Sequence, residues 1–414
     1  MTPVDPRTAP PAARSRGFTL IEVILALALT TLLLGLLSSA IFIVAGDWNR
    51  NASLLDASLD EALIILQIDR ALHGAFPHSY TNEETQYKGD GEAYPPLSPD
   101  DEFADYETWH SWAGPNTANI TFNEEWYERK RADITRPALK RGLALKVELG
   151  TNPFKFGMIG STDSHTSLAA AEEDNFWGTY ALYEPNTFRS LFQSEFAASG
   201  YAAIWATENT REALFAAMRR KETYATTGSR MRVRFFGGWD YANEDAYNPK
   251  LAEIGYQGGV PMGGDLASAP DGQSPTFLIR AVKDPDGANL DRVQVIKGWL
   301  GSDGNVNEKV YDVAVSDGRP IPSEGKVEPV GSTVDIENLS YTNTIGDPEL
   351  AVVWQDPNFD PSLDAFYYVR VIEIPTPRWS AYDRKFFQNE ARVREGFPLT
   401  TQERAYTSPI WYAP

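Results

Sequence analysis

The stretch Gly157-Met158-Ile159-Gly160-Ser161-Thr162-Asp163-Ser164-His165 joins a short apolar run to a polar turn. The run 156–159 predicts a buried strand, and Gly-Ser-Thr predicts the turn that ends it. Side chains two residues apart in an extended chain face the same side, so Asp163 and His165 should emerge together. They stand at the C-terminal end of the predicted strand, where α/β barrels keep their catalytic groups. A carboxylate beside an imidazole suits a divalent metal, whereas the alternative is a capping aspartate and a hydrogen-bonded histidine in an ordinary loop.

Composition and charge restrict the class of protein. The chain has 414 residues, of which 42% are hydrophobic, so it can form two or three domains with sizeable cores. Its net charge of −20 argues against nucleic-acid binding, which needs a basic surface. Because there is no cysteine, disulfides, zinc–thiolate sites and cysteine nucleophiles are excluded.

The N-terminal region predicts a membrane anchor. No charged residue occurs from Val23 to Gly46, and a helix of that length, about 36 Å, can cross a bilayer. Arginines precede this run, and the next one is Arg50. That distribution predicts a single pass through the inner membrane, with a cytoplasmic N-terminus and a periplasmic remainder.

A carboxylate interrupts the start of the apolar region, in Arg16-Gly17-Phe18-Thr19-Leu20-Ile21-Glu22. A charge at a membrane edge is costly and calls for a functional partner. This stretch resembles the leader of type IV prepilins and type II secretion pseudopilins, and the resemblance extends over residues 14–75. It implies that prepilin peptidase cleaves after Gly17, that the new Phe18 amine is methylated, and that Glu22 pairs with the terminal amine of a neighbouring pseudopilin. The alternative is a plain membrane anchor.

Leucines at intervals of three, four and seven residues continue the helical pattern beyond the membrane. They predict a leader at 1–17 and one transmembrane and stem helix at 18–75. The segment Ile65–Leu72 resembles the J-type minor pseudopilins. Residues 76–110 form a seam whose acidic part, including Asp101 and Glu102, is predicted to be a solvated loop.

The rest of the chain predicts an α+β protein in two parts. In residues 111–229 helix and strand patterns alternate, which indicates α/β connectivity; Gly150 should end one helix and Thr210 should cap another. Residues 230–414 carry seven short strand patterns, including 276–282 and 333–336, and predict an antiparallel β-sandwich-like domain. The turn residues at 284–291 predict a hairpin.

Long motifs from residue 83 to 414 resemble a bacterial family described as a domain of unknown function. They are Gly150–His165, Trp205–Leu214, Tyr224–Gly228, Val260–Asp265, Lys283–Asp291 and Arg404–Trp411. This family is similar to metallohydrolases of the polymerase-and-histidinol-phosphatase type. The resemblance implies a distorted α/β barrel that holds divalent metals, with residues 111–229 as a partial barrel segment and Asp163 and His165 as its late Asp-x-His ligands. The implied chemistry is attack of metal-activated water on an ester or phosphoester.

The histidines depart from the family's pattern. The chain has only His73, His78, His110 and His165, and none forms the family's opening His-x-His pair. Glu83 aligns with an acidic stretch that can hold a further ligand. A catalytic metal usually needs three protein ligands, so the predicted site is incomplete and its activity doubtful.

Three interpretations of the whole chain follow from these patterns. The first is a membrane-anchored member of a metal-dependent hydrolase family, inactive as this chain alone. The second is a minor pseudopilin whose large exported head serves assembly or binding. The third is a gene fusion without a selected function as one unit.

Overall fold

The computed structural model describes residues 92–93, 98–103, 134–161, 172–177, 186–187, 189, 200–323, 325–388 and 398–414. All of them belong to the second of two compact units, residues 87–414. Within these ranges no helix combines the length and the apolar character that a membrane crossing requires. The predicted leader, anchor and stem helix lie outside the described residues.

The described elements are four helices and thirteen strands. The helices are α1 (Thr135–Leu149), α2 (Arg211–Arg219), α3 (Leu251–Gly258) and α4 (Trp379–Phe387). The longer strands are β3 (Arg232–Gly238), β5 (Thr276–Val282), β6 (Leu290–Leu300), β7 (Val306–Val315), β8 (Glu349–Gln355) and β9 (Ala365–Glu373). The shorter strands are β1 (Tyr201–Ile204), β2 (Thr223–Thr226), β4 (Gly259–Pro261), β10 (Thr376–Pro377), β11 (Thr400–Thr401), β12 (Arg404–Thr407) and β13 (Ile410–Tyr412).

Seven strands form a large antiparallel sheet in the order β1-β2-β12-β9-β6-β7, with β13 also paired to β9. This sheet contains strands from residues 111–229 and strands from residues 230–414. The sequence predicts these two segments as separate domains, and that division stays a prediction. The predicted partial α/β barrel would need parallel strands, but β1 and β2 pair antiparallel. None of the described strands closes into a barrel. The order of helix and strand along a chain does not fix strand direction, which is why the pattern was misleading here.

A second antiparallel sheet, β4-β3-β5-β8, packs face to face with the large one. Alternate residues of each sheet point into the shared core, including Phe235 and Phe277 from the small sheet and Tyr367 and Val369 from the large sheet. The rings of Phe277 and Tyr367 have centroids 4.6 Å apart. Burial of such large side chains is the main favourable term that holds the sheets together.

The outer faces of both sheets are also covered. Leu139 and Leu143 of α1 pack on Ile296 and Phe366 of the large sheet. On the small sheet, Leu251 of α3 joins a cluster with Phe236 and Leu278. Strand β9 is therefore buried along its whole length.

The predicted helix signals are confirmed. Gly150 ends α1 in the left-handed conformation at φ 72°, where glycine is favoured. The Thr210 hydroxyl caps α2 by accepting a hydrogen bond from the Ala213 amide at 3.3 Å.

Three local predictions are wrong. Residues 156–159 form no strand of either sheet. Residues 284–291 turn, yet they connect β5 of the small sheet to β6 of the large sheet, so they are a crossover and not a hairpin. Residues 333–336 form only an isolated bridge between Asp335 and Ser340. Turn residues mark where a chain changes direction, but they do not decide which sheet the next strand joins.

Candidate functional site

None of the predicted site residues lies in the described part of the chain. They are Gly17, Phe18, Glu22, Glu83, Asp163 and His165, and the other three histidines also lie outside it. The structure therefore neither brings these residues together nor separates them. It does describe the segment 154–161, which leads directly to Asp163 and His165.

Hydrogen bonds hold this segment against the large sheet. The Met158 amide donates to Ser408 Oγ at 2.8 Å, and Thr223 Oγ1 donates to the Met158 carbonyl at 2.9 Å. Further along, the Gly160 amide donates to the Tyr201 carbonyl at 3.2 Å. The Gly200 amide donates to the Ser161 carbonyl at 2.9 Å. The chain is thus fixed beside β1 and β2 as far as Ser161, two residues before Asp163.

Gly160 is required by this close approach. A Cβ atom at this position would lie 2.5 Å from the Thr226 carbonyl oxygen and 2.7 Å from that of Tyr201. Both contacts are with backbone, which cannot move aside cheaply, so only glycine fits. Gly160 therefore allows this segment to pack closely against β1 and β2.

Two of the motifs quoted above, Val260–Asp265 and Arg404–Trp411, contact the same segment. Lys155 pairs with Asp265 and lies 5.6 Å from the centroid of the Trp411 ring. Gly263 has a φ of +84°, and a Cβ there would lie 2.3 Å from the Lys221 carbonyl oxygen. The motifs Val260–Asp265 and Arg404–Trp411 thus form the support of 154–161.

Two buried glutamates lie close to the turn that follows β2. Glu373, at the end of β9, accepts a hydrogen bond from Ser229 Oγ at 2.5 Å. Glu403, just before β12, accepts one from Thr227 Oγ1. Burial, together with the charge of Asp284, raises the pKa of Glu373 to about 8.

Burial likewise raises the pKa of Glu403 well above its usual value, and the charge of Glu173 acts in the same direction. Both shifts favour the protonated form of the carboxyl groups. A protonated carboxyl donates a hydrogen bond, whereas metal ligation requires the deprotonated form. Glu373 and Glu403 are therefore better suited to buried hydrogen bonds that hold the fold together than to metal binding.

The described residues do not supply a ligand set for a metal. Within those ranges, no group of three or more histidine, aspartate or glutamate side chains is arranged to hold an ion. Whether Asp163 and His165 form such a group with Glu83 stays a prediction.

No signal in the sequence points to Glu373 or Glu403. Glu373 lies within the strand pattern 366–374, and Glu403 directly precedes the motif Arg404–Trp411, but neither belongs to a catalytic or metal-binding motif. Their importance arises from burial and from the hydroxyls of Thr227 and Ser229, which only the folded chain brings to them.

The fold and the N-terminal sequence together define a class of protein: an α+β domain of two facing antiparallel sheets on a prepilin-type N-terminus. Residues 12–38 match the prokaryotic N-terminal methylation motif. Residues 78–414 match the family described as protein of unknown function DUF3604, and the chain belongs to that family. No curated protein and no solved structure matches the chain.

Proposed function

We propose that this chain is processed as a prepilin and carries its DUF3604 domain as an exported head that serves assembly or binding. The observation that carries the proposal is the methylation motif at 12–38, which precedes a family domain beginning at residue 78. In this proposal, prepilin peptidase removes residues 1–17 and the segment 23–46 anchors the product in the inner membrane. The head then lies on the periplasmic side, and Glu22 pairs with the terminal amine of a neighbouring pseudopilin.

Processing can be tested by replacing Gly17. When the full chain is co-expressed with a prepilin peptidase, intact mass and N-terminal sequencing should show a product that begins at N-methylated Phe18. Gly17→Val should leave the leader attached, because the cleavage site requires glycine in the motif. Gly46→Val, a matched change at the far end of the apolar run, should be cleaved normally. A wild-type product that keeps Met1 in the presence of the peptidase would contradict the proposal.

A second candidate function is metal-dependent ester or phosphoester hydrolysis at Asp163 and His165, by way of the relationship to polymerase-and-histidinol-phosphatase enzymes. The specific observation in its favour is the fixed course of 154–161 with its required Gly160. A segment held by backbone contacts on both sides is the kind of support that a precisely positioned ligand pair needs. Because the described residues do not complete a ligand set, no reaction step is derived.

This second candidate predicts a bound divalent metal. The full chain in detergent, equilibrated with Mn²⁺ or Zn²⁺ and then desalted, should retain metal by elemental analysis. Loss of a supporting outer-shell group typically costs roughly 10–100-fold in metal affinity, so Asp163→Asn or His165→Gln should weaken retention at least that much. His110→Gln is the matched control. A wild-type chain with neither retained metal nor hydrolysis of phosphoester and ester substrates rules the candidate out.

A further inference from the structure

A short acidic segment lies across the outer face of the large sheet. This strap consists of residues 92–93 and 98–103. It lies on a groove lined by Arg136 of α1, Arg292 of β6 and Arg370 of β9, called the arginine groove below. All three arginine side chains are fully buried, with 0% of their surface exposed.

Glu92 joins two of these arginines. Its carboxylate is 2.8 Å from Arg370 Nη1 and also pairs with Arg136 and the Tyr368 hydroxyl. The Arg136 amide donates to the Glu92 carbonyl at 2.9 Å, so the strap is held by its backbone as well. Burial would raise the pKa of Glu92, but the charges of Arg370 and Arg136 lower it below the usual value.

Asp101 bridges the same two arginines from the other end of the strap. Its Oδ2 lies 2.7 Å from Arg136 Nη1, and its Oδ1 lies 3.1 Å from Arg370 Nη1. Here too burial opposes ionisation, and the two arginine charges hold the pKa of the carboxyl well below its usual range. The predicted solvated loop is therefore wrong for this residue: a buried carboxylate is stable here because it has two cationic partners.

The next two residues extend the contact. Glu102 lies 2.5 Å from Arg292 Nη2 and accepts a hydrogen bond from Gln294 Nε2 at 2.9 Å. The ring of Phe103 has the guanidinium carbons of Arg370 and Arg404 at 4.9 and 4.4 Å from its centroid. An aromatic ring between two guanidinium groups adds cation–π attraction.

The arginine groove depends on the short strap for compensation of its buried positive charges. Both carboxylates that pair with Arg370 in the described structure belong to the strap. Arg136 and Arg292 keep Glu308, Asp291 and Asp312 as further partners. Removal of one partner from a buried ion pair leaves an uncompensated charge, which is strongly destabilising.

We propose that the strap and the arginine groove form a self-sufficient interface that holds without the covalent connection through residues 104–133. The groove then recognises a short segment that carries paired carboxylates followed by an aromatic ring. The proposal does not depend on prepilin processing or on a metal.

The experiment cuts the connection while leaving the strap in place. A protease site is inserted between Asn116 and Thr117 of the full chain, a tag is placed after Pro414, and the protein is kept in detergent. After cleavage, the N-terminal fragment should remain bound to the tagged fragment through capture and washing. Separation of the wild-type fragments, with the tagged part folded or unfolded, would overturn the proposal.

Strap variants establish which groups hold the fragments. Loss of a buried ion-pair partner typically costs about 3–5 kcal/mol, so the combined change Glu92→Gln and Asp101→Asn should weaken retention about a hundredfold or more. Asp100→Asn is the matched control, because Asp100 is exposed and contributes its carbonyl, which accepts from Lys326 Nζ at 2.6 Å. Equal retention of the double variant and the wild type would refute the role of the carboxylates.

A peptide displacement experiment tests the proposal even if the double variant does not fold. A synthetic peptide of residues 87–105, added in excess to the cleaved wild-type protein, should displace the N-terminal fragment. The same peptide with glutamine and asparagine at positions 92 and 101 should not. If neither peptide displaces the fragment, or both do so equally, the groove does not recognise the strap as proposed.

Discussion

Replacing Arg370 with methionine should lower the free energy of unfolding by about 3–5 kcal/mol, the usual cost of breaking a buried ion pair. Methionine keeps much of the length of the side chain but removes the charge that compensates Glu92 and Asp101. It also removes the hydrogen bond that Arg370 Nε donates to Gln294 at 2.7 Å. The measurement is urea unfolding of the full chain in detergent, followed by tryptophan fluorescence.

The matched control is Arg232→Met, at an exposed arginine on β3. Exposed substitutions of this kind usually change the unfolding free energy by no more than about 0.5 kcal/mol. Arg370→Lys should fall between the two, since lysine restores the charge without the planar fork that spans two carboxylates. Equal destabilisation by Arg370→Met and Arg232→Met would mean that the ion pairs of Arg370 with Glu92 and Asp101 do not stabilise the fold.

The stability of the wild-type protein should fall as pH rises from about 4.5 to 8, in part because of Glu373. Its pKa is about 8 in the folded chain against 4.5 as the ordinary value. Below 4.5 the carboxyl is protonated in both states, so the folded state suffers no penalty. Between the two values the unfolded chain releases the proton and the folded chain keeps it, and stability then falls by about 1.4 kcal/mol per pH unit.

Above the folded pKa this contribution becomes constant. Glu403 acts in the same direction, since burial raises its pKa as well. Glu373→Gln keeps the shape and a hydrogen-bonding group but cannot ionise, so its stability should decline less steeply over this pH range. Urea unfolding at several pH values, compared with Glu253→Gln at an exposed site on α3, measures the difference. Parallel curves for wild type and Glu373→Gln would show that Glu373 ionises normally.

The local sequence predicted much of the strand and helix content. The pattern at 276–282 coincides with β5, because a short run of β-branched and aromatic residues with flanking turn residues is a short-range signal. The pairing of the strands was harder to predict from the local sequence. Nothing in Asp284–Asp291 indicates that β6 leaves the sheet of β5, since that depends on which apolar faces the whole chain buries together.

The charged residues were the hardest to interpret from sequence. Asp101 and Glu102 stand among other acids, so a solvated loop was the natural expectation, yet they meet arginines that lie far away in sequence. The partners come from α1, β6 and β9, and no short-range pattern links them to the strap. For the candidate site, the sequence supplies Asp163 and His165, and the structure supplies the support of the segment before them.

Strand β12 has a consequence for the timing of folding. Residues Arg404–Thr407 are the only described link in the large sheet between β1–β2 on one side and β9–β6–β7 on the other. They come later in the chain than every other described strand of this sheet except β13, so a nascent chain cannot join the two halves until these residues have been synthesised. Pairings between distant segments form slowly and late. We therefore expect the chain to lack its complete large sheet until Arg404–Thr407 have been synthesised, even where β6, β7 and β9 have already paired.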